Sequence, residues 1–167
     1  LGANDILKVS AGATVSASGI DSYTATSDTK NDGTVILTTD NDGSTINMSS
    51  SSGGTFTITG GAGVDKLTGG AGIDNIYGMS GNDELTGGAG ADNIVAGAGD
   101  DLIIISSSGD GDTDTVDGGS GSNTLQLSGG AHNFTNDAKI QNIQILTLNS
   151  AGSNVNLTGQ TEGLTIK

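Results

Sequence analysis

A chain of 167 residues with a formal net charge of −14 is one domain or one slice of a repeat array. Nineteen acidic residues against 5 lysines exclude nucleic acid and anionic membrane surfaces as natural partners, since both would be repelled. The lack of cysteine excludes disulfides and thiolate metal sites, and no run approaches the roughly 18 apolar residues needed to cross a bilayer, so no transmembrane segment is expected.

Residues 1–58 are rich in Ser, Thr and Asp, with β-branched clusters such as Thr34–Thr39 and Thr55–Thr59. Turn signals separate them at Asn31-Asp32-Gly33, Asp40-Asn41-Asp42-Gly43 and Gly53-Gly54. Residues 59–126 form a second region, strictly repetitive over 60–104 and degenerate over 105–126. Residues 127–167 return to short strands, including Ile143–Leu148 and Leu164–Ile166, and lead into a further block. No helical period is present, so the chain reads as all-β. It opens at Leu1 without a signal sequence, which suggests an excised piece of a longer protein.

From Gly60 to Ile104 the sequence repeats every nine residues: GGAGVDKLT, GGAGIDNIY, GMSGNDELT, GGAGADNIV, AGAGDDLII. Glycines let each turn adopt backbone conformations closed to residues with a Cβ. The three residues after each aspartate alternate out, in, out, as in a short strand. Two nonapeptides then make one flattened coil, and coils stack about 4.8 Å apart through parallel pairing. Leu67, Leu85 and Ile103 should line one wall, with Ile76 and Ile94 on the other. The expected fold is a right-handed parallel β-roll or β-helix solenoid, extended or capped by the flanking strands.

The same stacking puts Asp65, Asp83 and Asp101 in one column, with Asp74 and Asp92 in another. At about 5 Å apart, neighbouring carboxylates repel by about 3 kcal/mol at an effective dielectric of 20. One buried aliphatic side chain per repeat, worth about 1.5–3 kcal/mol, does not offset that together with backbone ordering. A cation between the carboxylates would reverse the sign. Carboxylates and glycine carbonyls are hard oxygen ligands, and a flexible loop of them favours Ca²⁺ over Mg²⁺. At least three ions are expected, at Asp65/Asp83, Asp74/Asp92 and Asp83/Asp101, with folding coupled to binding. The carbonyls of Gly60, Gly61, Gly63, Gly69, Gly70, Gly72, Gly81, Gly90 and Gly99 are candidates to complete the ligand sets.

These residues resemble the RTX (repeats-in-toxin) nonapeptides, GGxGxDxUx with U aliphatic, of bacterial proteins exported by type I secretion. The departures are Met79 for the second glycine of the third repeat and Ala96 for the first glycine of the fifth. The resemblance implies calcium binding and an extracellular or cell-surface location. It is closest to modules of S-layer proteins or giant adhesins.

After Ile104 the period slips by four. Asp110, Asp112 and Asp114 imitate the start of an EF-hand loop, but Gly121 stands where its glutamate would be, so the segment reads as an enlarged acidic turn, open to an extra ion or to solvent alone. Gly118–Gln126 is a nonapeptide with Asn123 in the aspartate place, a weaker ligand. His132 lies in a polar stretch and reads as a surface residue. Ser50–Ser52 has no accompanying base and reads as a turn, as does Asp40–Gly43. Three Asn-x-Ser/Thr sequences, at Asn47, Asn133 and Asn156, carry little weight in a bacterial-looking chain. Tyr23, Phe56, Tyr77 and Phe134 are too dispersed for a sugar-stacking platform, and no catalytic constellation emerges.

The flanks also match one another. Asp5–Ala13 aligns on Asn123–Ala131, Gly43–Met48 on Gly152–Leu157, and Thr57-Ile58 on Thr165-Ile166, suggesting a larger repeat. The leading functional reading is therefore a non-enzymatic calcium-binding structural module of a secreted surface array, with neighbouring blocks or further copies as partners. The alternative is a secretion and folding module of a larger enzyme or toxin. A polysaccharide-binding roll lacks the basic and aromatic residues it would need.

Overall fold

The structure, a computed structural model, describes residues 6–107, 113–134, 140–149, 154–156 and 165–166. Among these there is no helix. The strands are β1 (Lys8–Val9), β2 (Thr14–Ile20), β3 (Ser22–Thr24), β4 (Lys30–Asn31), β5 (Thr34–Thr39), β6 (Thr45–Asn47), β7 (Thr55–Thr59), β8 (Lys66–Thr68), β9 (Asn75–Ser80) and β10 (Glu84–Thr86). They continue as β11 (Asn93–Ala98), β12 (Leu102–Ser107), β13 (Thr115–Asp117), β14 (Thr124–Gly129), β15 (Ala131–Asn133), β16 (Ile140–Gln141), β17 (Ile145–Leu148), β18 (Asn154–Asn156) and β19 (Thr165–Ile166).

All pairings are parallel and join strands of successive coils. One wall is β2-β5-β7-β9-β11-β13-β16; the second is β3-β6-β8-β10-β12-β14-β17-β19. This is the expected parallel solenoid. Because side chains alternate along a strand, each short strand sends its middle residue inward. The first wall thus stacks Leu37, Ile58, Ile76, Ile94, Val116 and Ile140 into one apolar column. The second stacks Tyr23, Ile46, Leu67, Leu85, Ile103, Leu125 and Leu146. All are buried. Leu67, Leu85 and Ile103 face Ile76 and Ile94 across the core, as the nine-residue period requires.

Outside the nonapeptides the coil gains a third side. β4 and β15 each lie between a second-wall strand and the next first-wall strand, where the nonapeptide coil makes only a tight turn, and they pair with β1 and β18. The inward middle residue of β15 is His132. It is 1% exposed and its ring stacks on Phe134, with centroids 6.0 Å apart and planes 9° apart. The expected surface role for His132 is thereby overturned, because a short strand buries its central residue even when its neighbours are polar. Tyr23, Phe56 and Phe134 are core residues as well.

The four-residue slip falls entirely on one edge of the stack. From first wall to second, the step is seven residues in successive coils: Thr59 to Lys66, Tyr77 to Glu84, Val95 to Leu102 and Asp117 to Thr124. From second wall to first, Thr68 to Asn75 and Thr86 to Asn93 are also seven, but Ile104 to Thr115 is eleven.

The flanks match as whole sets of strands. In chain order β1–β7 correspond to β13–β19, with first residues 107 (Lys8 to Thr115) to 111 (Thr34 to Ile145) positions apart. The pairings recur too: β1–β4, β2–β5, β3–β6 and β5–β7 return as β13–β16, β14–β17, β15–β18 and β17–β19. This supports the alignment of Gly43–Met48 on Gly152–Leu157. It corrects that of Asp5–Ala13 on Asn123–Ala131, because β2, and not β1, is the counterpart of β14. Apolar alternation alone does not distinguish one short strand from the next.

Candidate metal centre

Each aspartate ends a glycine turn and is held by the coil stacked upon it. Asp65 N–H donates to Asp83 Oδ1 (2.8 Å), and Asp83 N–H to Asp101 Oδ1 (2.8 Å). On the opposite edge Asp74 N–H donates to Asp92 Oδ1 (2.8 Å). The two expected columns exist, and all five aspartates are at most 2% exposed. The geometry sharpens one expectation. A backbone N–H already takes one lone pair of Oδ1 between successive carboxylates, so Oδ2 is the freer oxygen for an ion.

Two forms of turn treat that second oxygen differently. Gly61 N–H donates to Asp65 Oδ2 (2.8 Å) and Gly70 N–H to Asp74 Oδ2 (2.7 Å). In the next turns the equivalent residue has positive φ, 77° at Met79 and 108° at Gly97. There Asp83 Oδ2 and Asp101 Oδ2 are buried without a hydrogen-bond partner. Met79 is thus a non-glycine residue in the left-handed region, a conformation that costs of order 1–3 kcal/mol.

Carbonyl oxygens from the next coil lie beside Oδ2. A side chain at Gly78 would set its Cβ 2.4 Å from Asp83 Oδ2 and 2.5 Å from the Ala96 carbonyl oxygen. The same pairing recurs at Gly60, between Asp65 Oδ2 and the Gly78 carbonyl, and at Gly69, between Asp74 Oδ2 and the Gly87 carbonyl. At these three positions a Cβ would crowd the space between the oxygens, although the fifth repeat carries Ala96 at the equivalent place. Among the candidate carbonyls, those of Gly63, Gly72 and Gly81 point along the stack, each at the glycine one coil on. Those of Gly61 and Gly70 accept the N–H groups of Ser80 (3.1 Å) and Ala89 (3.0 Å).

Asn123 is a built-in control. Its Oδ1 accepts from Asp101 N–H (3.1 Å), as an aspartate would. Its Nδ2 donates to the carbonyls of Gly118 (2.8 Å) and Asn142 (3.1 Å), one in its own turn and one in the next coil. An amide donor satisfies here the pair of carbonyls that a carboxylate can only repel. Asn123 therefore closes its column with a neutral group. A hard cation would meet the same need at Asp83.

Asp114 belongs to the second column: its Oδ1 accepts from Asp92 N–H (2.9 Å), and it is 2% exposed. In the sequence Asp114 groups with Asp110 and Asp112, because the slip hides its register. Those two lie outside the described residues. The clue available was Thr115-Val116-Asp117, which places a residue before it in the aspartate position. Among the described residues no three His, Cys, Asp or Glu side chains converge, so carboxylates alone do not complete a calcium shell.

Burial pushes the carboxyls of Asp74 and Asp83 up to about 7, and repulsion from neighbouring carboxylates adds to it while the N–H donors oppose it. Asp101 is raised for the same leading reason. Without a cation these sites resist ionisation.

The family model for the RTX calcium-binding nonapeptide repeat, four copies, matches residues 57–76, 68–103 and 108–131. No curated protein and no solved structure matches the chain. The repeat region thus belongs to the RTX calcium-binding repeats, folded as a parallel β-roll, and the chain carries a calcium-binding structural module. No helix among the described residues is long and apolar enough to cross a membrane.

Proposed function

We propose that this chain is a non-enzymatic, calcium-stapled segment of a secreted bacterial surface array, of the S-layer or adhesin kind, that folds on meeting extracellular calcium. The observation that carries the calcium-dependent part is the burial of Asp83 Oδ2 and Asp101 Oδ2 without a hydrogen-bond donor, a state costly to hold without a cation. Asp65, Asp74, Asp83, Asp92 and Asp101 supply carboxylates, Asp114 extends the second column, and turn carbonyls complete each set. Bound calcium supplies positive charge between otherwise repelling oxygens. The paired flanks favour an array over the alternative, a secretion and folding module beside a distant enzyme or toxin.

Circular dichroism during a calcium titration tests the coupling, with isothermal calorimetry counting ions. The β signal should rise cooperatively with at least three ions bound. A spectrum in EDTA identical to that in calcium would sink the coupled-folding reading.

A further inference from the structure

In the second flank, β13 and β14 are covered on their upstream side by β11 and β12, the last strand pair of the nonapeptide stack. Thr115 and Thr124 donate their N–H groups upstream to the carbonyls of Asp92 and Asp101 (2.8 Å each). In the first flank the corresponding edges of β1 and β2 carry no strand among the described residues. The inward residues record the difference. Leu125 and Leu127, with β12 stacked on them, are 1% and 0% exposed, whereas their counterparts Val15 and Ala17 are only partly buried.

We propose that the upstream edge of β1 and β2 is a docking surface for the last strand pair of a nonapeptide stack, the counterpart of β11 and β12. Another copy of this twelve-strand unit supplies it. The inference goes beyond calcium binding and holds whether the array stands on a cell surface or beside an enzyme. The duplication itself identifies the occupant, since the only upstream neighbour that the equivalent strands accept here is a nonapeptide coil. The joint differs in one respect. Asp114 and Asn123, which accept from the coil before them, correspond to Leu7 and Ala13. Strand pairing and the apolar column, and not a further ion, hold this junction. Each unit also enters the next one side further round the coil: β1 lies on the third side and β13 on the first wall, while β2 lies on the first wall and β14 on the second.

A tandem protein, residues 1–114 running directly into residues 8–167, places the second β1 and β2 after a nonapeptide stack. Ala13 O accepts from Thr34 N–H (2.9 Å), so odd-numbered residues of β2 face β5 and the even-numbered N–H groups point upstream. Hydrogen exchange in calcium should then show the β2 peptide in two populations, one at the single-chain rate and one at least tenfold slower. Ser16→Pro in the second copy removes an upstream N–H and gives that peptide a distinct mass. It should exchange at the single-chain rate. One population at the single-chain rate in the unsubstituted tandem overturns the proposal, as does protection that survives Ser16→Pro.

Discussion

Asp83 and Asn123 differ by one atom type and show what that atom is for. Both accept an N–H from the preceding coil through Oδ1. Asn123 then donates to two carbonyls, while Asp83 Oδ2 is buried with no donor. Asp83→Asn should therefore stabilise the metal-free fold by about 1–3 kcal/mol, the cost of an unsatisfied buried polar group. It should also lower the calcium count by at least one. Thermal melts in EDTA and calorimetric stoichiometry check both halves, and a variant less stable in EDTA would contradict the acceptor-only picture. At this scale the aspartates were legible from spacing alone. The role of Asn123 was not, because it depends on which way an amide turns among carbonyls from another coil.

At the scale of the element, the unit is a glycine turn followed by a three-residue strand, and the fourth-position glycines set how closely turns stack. Gly90 has φ +131°, and a Cβ there would stand 2.2 Å from the Gly72 carbonyl oxygen. Gly90→Ala combines backbone strain with overpacking and should cost about 3 kcal/mol. A calcium-saturated melt reads this directly; an unchanged midpoint would mean that the turn spacing is soft. The strands were legible because the apolar column keeps step with the turns. The third side was not: β4 and β15 are short, and burying Asn31 and His132 defies any pattern that equates inside with apolar.

The whole molecule is a stack whose acidic columns are buried before any ion is considered. In the metal-free fold, Asp74 and Asp83 hold protons up to about pH 7, whereas an unfolded aspartate loses its proton near 3.8. Between those values the folded state binds more protons, so the stability these groups contribute to the metal-free fold is full below about pH 3.8 and is lost as pH rises through about 7. Saturating calcium should invert the trend, because protons compete for the same oxygens. Urea midpoints at pH 4.5 and 7.5, with EDTA and with calcium, measure this; equal midpoints in EDTA would show that the carboxyls titrate normally. The sequence by itself determined the coil, its two walls and the metal-seeking columns, since these follow from a local period in which one glycine turn, one carboxylate and one aliphatic residue recur together. Only the tertiary structure decided that Asp114 joins a column across the slip, that His132 is core, and which strand of one flank answers to which of the other. Those facts depend on register between strands about twenty residues apart, which pairing sets and composition does not encode.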